Sequence, residues 1–385
     1  MRTSWWRSRS ELSPEQSDFM NLPLDGRYSL TGPPGSGKTN LLLLRAQFLA
    51  GSGEKNVLII TYSNALCNFI RSGIGKSGFI SNDQVKTFHS WAGSHIVDQL
   101  GFGAISLAGK FDDTTRAEIL EKLKEANTKL PSSKIYSGIF VDEAQDLSVE
   151  ELELLLSLSD KVCISGDLRQ GIYQKDGLSI AQKLNLTQFQ LTSHFRIGQR
   201  IAQVADKLMP PDAGEPSLES IANYNPKIQG ESTAKMNVLE SRAAQFEKMI
   251  ELIRIQLDAF NDDSIGVFAG TNDTIAELKR RFDATDLAGL VAYHGYEDSS
   301  FSPSKRIHLI TLHSAKGTEF RAVHIFGAEE LRSVHLRRTR LAYTAITRAR
   351  TALNVFCTGE TTRALDSAFA QTAYIDLDDL FEEKT

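Results

Sequence analysis

Residues 32–39 read Gly-Pro-Pro-Gly-Ser-Gly-Lys-Thr and meet the pattern G-x-x-x-x-G-K-[ST] at every fixed position. The chemistry of that pattern is phosphate binding. Gly32, Gly35 and Gly37 let backbone N–H groups turn toward an anion, and the N-terminus of the following helix adds its positive dipole end. Pro33, Pro34 and Ser36 complete the loop, and Asn40 opens the helix proper. Lys38 is placed to reach the β- and γ-phosphates, and the Thr39 hydroxyl to ligate Mg²⁺. About a hundred residues on, Val-Asp-Glu-Ala-Gln-Asp (141–146) closes an apolar run. Asp142 can hold Mg²⁺ there, and Glu143 can position and polarise an attacking water. Together the loop and the acidic pair point to hydrolysis of a nucleoside triphosphate, not binding alone.

These groups need a scaffold that ends strands beside helix N-termini. Apolar runs with little alternation recur at 28–31, 57–61, 84–88, 138–142, 161–167 and 189–192, then at 265–270, 306–313, 322–328 and 353–359. Helical patterns separate them at 40–50, 64–75, 113–128, 148–159, 197–208, 241–259, 272–283 and 338–350. Ser148 and Glu151 form a capping-box pair before the fourth of these. Such alternation predicts an α/β fold with parallel sheets covered on both faces. Two domains are expected, 1–190 and 191–385, the first with a short insertion at about 93–134. The stretch 209–230 has no clear period and reads as a loop.

Composition narrows the class. The chain has 385 residues, 41% hydrophobic and 24% charged, as in a globular protein with room for two cores. A net charge of −5 provides no global basic field, so any nucleic-acid groove must rest on local charge. Cys67, Cys163 and Cys357 lack metal-ligand spacing, and no apolar run reaches a membrane-spanning length. The expectation is a cytoplasmic protein without membrane association. The start, MRTSWWRSRS, reads as a surface arm, with packing beside a nucleotide base as the sharper alternative.

Further motifs follow in order: Gly-Asp-Leu-Arg-Gln-Gly-Ile-Tyr (166–173), Ser-His-Phe-Arg (193–196), Leu-His-Ser-Ala-Lys-Gly-Thr-Glu-Phe (312–320) and Ala-Tyr-Thr-Ala-Ile-Thr-Arg-Ala-Arg (342–350). With the phosphate loop and the acidic hexapeptide, this series resembles the superfamily 1 helicases of the UvrD/Rep/PcrA group, from about Leu12 to Thr358. The resemblance implies two RecA-like domains with ATP in the cleft between them. It implies that Gln16 recognises adenine, that Phe195 stands in the place of a base-stacking tyrosine, and that Glu319, after Gly317, lies near the ribose. Arg196 and Arg348 match arginines that reach the γ-phosphate from the second domain, and Gln170 matches a glutamine linking γ-phosphate to the nucleic-acid path. Arg350 reads as a solvated charge, as do Arg332, Arg337 and Arg338.

The same resemblance implies contacts to a single strand by Tyr62 and Asn64, by Thr87, Phe88 and His89, by Tyr173 and by His313. Trp91 reads as core. The partner expected is single-stranded DNA or a tailed duplex, with RNA as the alternative strand. The chain also departs from the family. Fewer than fifty residues separate His89 from the strand at 138, and about a dozen separate Tyr293 from Arg306, where a second accessory domain normally enters. After Tyr173 the sequence runs Gln-Lys-Asp-Gly, where the family has an aromatic-Arg-Gly-Ala stretch. The functional expectation is an ATP-dependent DNA translocase or helicase, 3′→5′, with strand-stimulated hydrolysis. The alternative is an ATP-gated subunit controlling a partner such as a nuclease.

Overall fold

Strands form where apolar residues are needed on both sides of the chain. In Val57–Thr61, Val57 and Ile59 enter one apolar cluster while Leu58 and Ile60 enter another. Ile139 and Val141 are likewise split from Phe140 in Gly138–Val141. A strand buried on two faces cannot alternate apolar with polar, which is why these runs read as continuous. A computed structural model of the chain describes residues 6, 8–74, 78–105, 113–167, 169, 176–260, 263–294, 304–333 and 339–370.

Two parallel sheets of six strands result. The first comprises β1 (Arg27–Thr31), β2 (Val57–Thr61), β3 (Val85–Thr87), β4 (Gly138–Val141), β5 (Val162–Gly166) and β6 (Thr187–Gln190), in the order β3-β2-β4-β5-β1-β6. The second comprises β7 (Thr233–Val238), β8 (Ile265–Ala269), β9 (Val291–Tyr293), β10 (Ile307–Thr311), β11 (Phe320–Ile325) and β12 (Ala349–Cys357), ordered β7-β12-β11-β8-β10-β9. Registers such as Tyr28↔Cys163 and Val323↔Gly266 are parallel throughout. Helices cross over both faces of each sheet. The arrangement is the RecA-like α/β class expected, and in such sheets ligands bind beyond the carboxyl ends of the strands.

Several elements differ from expectation. The run at 84–88 stops as a strand at Thr87, because the Thr87 hydroxyl accepts from Ser90 N and starts the helix Phe88–Leu100. The helix expected over 338–350 spans only Thr339–Ile346. Thr347 Oγ1 turns back to donate to Thr344 O (3.0 Å), and β12 begins at Ala349. β7 and β9 lie outside the expected runs. β7 is a half-exposed edge with a weak apolar signal, and β9 is only three residues long. The helix Pro14–Asn21 also went unmarked by period. It starts at a capping box in which Ser13 Oγ accepts from Gln16 N (3.3 Å) and Gln16 Oε1 accepts from Ser13 N (3.0 Å). The segment 93–134 holds most of Phe88–Leu100 and the helix Asp113–Thr128, which share a core through Ile96, Ile119 and Leu123.

Candidate functional site

The phosphate loop leaves β1 and enters the helix Lys38–Gly51. Gly35 and Gly37 adopt φ of +80° and +93°, a region other residues occupy only under strain. A Cβ on Gly32 would stand 2.9 Å from Leu191 Cβ. Lys38 Nζ donates to Gly32 O (2.8 Å) and Pro33 O (3.0 Å), at the mouth of the loop. Pro34 and Asn40 line the same cleft, while Ser36 is buried with its Oγ unpartnered.

Behind the loop, Thr39 Oγ1 donates to Asp142 Oδ2 (2.6 Å), and Ser165 Oγ donates to Asp142 Oδ1 (2.7 Å). Asp142 follows β4, and Glu143 follows it with a positive φ of 54°. For a non-glycine residue that conformation costs of order 1–3 kcal/mol and aims the carboxylate into the cleft. Gln145 Nε2 donates to Glu143 Oε2 and fixes it further. Burial opposes charge on Glu143, but the cations of Lys316, Arg348 and Lys38 outweigh it and hold the carboxyl below its usual range. Burial raises Asp142, with the Glu143 charge adding to the effect. Burial lowers Lys38, against the pull of Asp167, Glu143 and Asp142. The outcome is an ionised, buried Glu143 beside a hydroxyl–carboxylate pair.

The second sheet supplies the opposite wall. Arg196 Nη1 donates to Glu319 Oε2 (2.7 Å) and Nη2 to Thr347 O (2.9 Å). Arg348 is buried, with Nε on Thr344 O (3.0 Å); burial and the neighbouring Arg196 bring it down to about 10, so it stays charged near neutrality. Arg196, Arg348, Phe195, Gly317 and Glu319 line the cleft together with Lys38, Thr39 and Glu143. Burial raises Glu319, yet Arg196 and Arg350 overcome this and keep it below its usual range. Phe195 N donates to Gly35 O (3.2 Å), so the stretch after β6 is tied to the phosphate loop. Gly317, at φ +79°, lies against Leu66 of the helix Asn64–Ile74, where a Cβ would collide.

The donor set fits a nucleoside triphosphate with a divalent cation. The loop is a cradle that side chains would fill, and it contains a buried orphan hydroxyl on Ser36. Among the described residues no group of three or more His, Cys, Asp or Glu could hold a metal alone. One hydroxyl and one carboxylate suit Mg²⁺ that shares its coordination with phosphate oxygens.

Sequence reasoning left several residues of this site unassigned. Lys316 is buried and pairs with Asp146 (2.7 Å) and Glu143 (3.5 Å), joining the two sheets through the cleft floor. Asp167 N donates to Gln145 Oε1 (3.1 Å) and tethers the turn after β5. Arg45 donates to the carbonyls of Phe19, Leu22 and Pro23 and lies over the rings of Phe19 and Tyr28, fixing the helix that carries Gln16. No motif marks Arg45; a single arginine in NLLLLRAQFLA was its only signal. Two expectations need correcting. Arg350 lines the cleft and acts on Glu319 instead of facing solvent. Trp6 lines the cleft wall, against the surface-arm reading and in line with the alternative of packing beside the nucleotide.

The expected strand-binding residues divide. Tyr62 is half-buried, its ring 5.6 Å from that of His89, and Arg116 sits beside both while pairing with Glu151. Asn64 is exposed at the start of its helix, and His313 is half-buried after β10. Burial and Arg116 hold His89 at about 4, so it is neutral. Phe88 and Thr87 do not fit the expectation. Phe88 is fully buried against Trp91, and Thr87 is a buried helix cap, so neither can stack on a base. Trp91 is core, its Nε1 donating to Tyr136 OH (3.0 Å). Gln170 and Tyr173 lie outside the described residues, as do Arg337 and Arg338.

A family model described as an AAA domain matches residues 24–176, and one described as a UvrD-like helicase C-terminal domain matches residues 306–356. No curated protein matches the chain. Among solved structures, the chain is similar to the PRRSV helicase at 16% identity, TM-score 0.41, over 89% of this chain and 54% of that one. It is also similar to the C-terminal domain of a "possible DNA helicase" from Lactobacillus plantarum WCFS1, at 16% identity, TM-score 0.35, over 45% of this chain and 93% of that one. The chain thus spans about half the length of the viral helicase chain. The first family model spans the phosphate loop and acidic turn and the second spans Lys316, Glu319 and Arg348, so both walls of the cleft lie in matched regions: an AAA domain on one side and a UvrD-like helicase C-terminal domain on the other.

Proposed function

We propose that the chain is an ATP- and Mg²⁺-dependent motor on single-stranded DNA, moving 3′→5′, with hydrolysis stimulated by the strand. The observation that carries this reading is the cleft. Lys38, Thr39, Asp142 and Glu143 come from the half built on residues 1–190, and Arg196, Glu319 and Arg348 from the half built on 191–385. Bound ATP with Mg²⁺ supplies the phosphoanhydride whose hydrolysis drives the cycle. Lys38 neutralises phosphate charge, Thr39 and Asp142 orient the cation, and the ionised Glu143 takes a proton from the attacking water. Arg196 and Arg348 complete the charge only when the halves are closed, which ties hydrolysis to domain closure. Tyr62, Asn64, His89 and His313 offer stacking and polar contacts to a strand.

The test is ATP turnover with and without single-stranded DNA. Stimulation of at least several-fold is expected, together with unwinding or protein displacement from one tail polarity only. Turnover that ignores strands of every length would overturn the motor reading. An equal-length RNA competitor distinguishes the RNA alternative.

A second reading has its own support. Only about a dozen residues lie between Tyr293 and Arg306, too few for a further accessory domain. An ATP-gated subunit that controls a partner such as a nuclease needs the clamp but not strand separation. ATPase activity that stays silent until a co-purifying partner joins would favour it.

A further inference from the structure

The nucleotide cleft has an aromatic wall. Trp6 and Phe69 both line it, with ring centroids 5.0 Å apart and planes inclined by 34°. The seat of Trp6 is built for it. Phe69 and Gly73 stand four residues apart on the helix Asn64–Ile74, hence on one face. A Cβ on Gly73 would fall inside the indole ring, so the seat exists only because residue 73 has no side chain. Trp6 also packs on the buried cluster that includes Phe69 and Ile70.

Gln16 offers less to a base than its position implies. It is buried, its Oε1 accepts from Ser13 N (3.0 Å) and its Nε2 donates to Ser36 O (2.8 Å). Much of the amide is therefore engaged in fixing the phosphate loop to the helix Pro14–Asn21.

We infer that the nucleotide base stacks on the Trp6–Phe69 wall, and that stacking, more than hydrogen bonding by Gln16, sets base preference. This rests on the nucleotide reading of the cleft. Every base has a π-face, so an aromatic wall discriminates weakly between adenine and guanine and favours purines over the smaller pyrimidines.

Isothermal titration of the full chain with a non-hydrolysable ATP analogue and with inorganic tripolyphosphate, both with Mg²⁺, tests this. Trp6→Ala should weaken the ATP analogue about tenfold, within the usual range for base–aromatic stacking. Tripolyphosphate has no base and should bind unchanged. Trp6→Phe should restore most of the affinity, and Gly73→Val, which fills the seat, should reproduce Trp6→Ala. Wild-type analogue affinity in Trp6→Ala overturns the inference. So does a parallel loss for both ligands, which would make Trp6 a cover for the fold. Failure of both ligands to bind the unmodified chain would overturn the nucleotide reading itself.

Discussion

The nucleotide cleft and the face around Tyr62 lie along one helix, Asn64–Ile74, yet they hold their side chains in opposite ways. In the cleft, Lys38, Asp142, Glu143, Asp146, Asp167, Lys316 and Arg348 are all buried, with Lys316 paired to Asp146 and Asp142 held by the Thr39 hydroxyl. At the face, Tyr62 and His89 are neutral rings meeting edge to face, and Arg116 is already engaged by Glu151. Burial makes charge effective and geometry exacting, whereas a stacking face tolerates variation in both. The helix between them gives a physical route for coupling. It begins at Asn64, meets Gly317 of the second half through Leu66, and presents Phe69 to the cleft.

If the contrast holds, damage to the cleft should cost turnover far more than strand affinity. The largest loss is expected for Arg348→Ala, about 10³–10⁵ in kcat, the usual worth of an arginine that completes a phosphoryl-transfer site. Single-strand Kd measured by anisotropy should stay within about twofold, within the ~0.5 kcal/mol typical of changes outside a contact. A matching loss of strand affinity would break the separation. Next is Glu143→Gln, which removes the proton acceptor and should lower kcat about 10²–10⁴ while ATP still binds. Turnover near wild type in that variant would remove Glu143 from its role.

The contrast also explains what could be read in the sequence. Phosphate and water activation restrict residue types severely, so Gly32, Gly37, Lys38, Thr39, Asp142 and Glu143 were legible from type and spacing, and the structure brings them together. The strands were legible because burial on two faces removes polar residues; β7, half-exposed on an edge, lacked that signal. Stacking makes no such demand. Phe88 and Tyr62 look alike in sequence, and only the Thr87 cap, which turns Phe88 into the core, tells them apart. Lys316 and Arg45 stayed silent for another reason. Their roles depend on carbonyls and carboxylates far away in the chain, and no local pattern encodes those.

At the face itself, Tyr62→Ala should weaken single-strand binding by about 1–3 kcal/mol, seen as a five- to 150-fold rise in the DNA concentration for half-maximal stimulation. Phe88→Leu should lower Tm instead, because it hollows the core beside Trp91, and should leave that concentration unchanged. If Phe88→Leu shifts the DNA dependence as Tyr62→Ala does, the face extends further than its exposed rings.

The smallest effect is a difference in how the two regions titrate. Burial pushes Asp146 up to about 6 despite the opposing charge of Lys316, while burial and Arg116 push His89 down to about 4. Asp146 is therefore charged above pH 6 and neutral below it, whereas His89 is neutral across pH 5–8. Lowering the pH from 8 to 5.5 protonates Asp146 and weakens the Lys316 pair that joins the two sheets, without altering the charge on His89. Strand-saturated kcat should then fall through a step near pH 6. Its size should be about two- to thirtyfold, the ~0.5–2 kcal/mol of a residue that carries coupling between sites. Glu143, held below the usual carboxylate range, is already ionised throughout and does not produce the step. Asp146→Asn mimics the protonated state, so at pH 8 it should already sit on the lower plateau and show no step. His89→Gln should leave the pH dependence of strand affinity as it was. A step that survives in Asp146→Asn, or one that appears in strand affinity and vanishes with His89→Gln, would place the titrating group at the face and reverse the comparison.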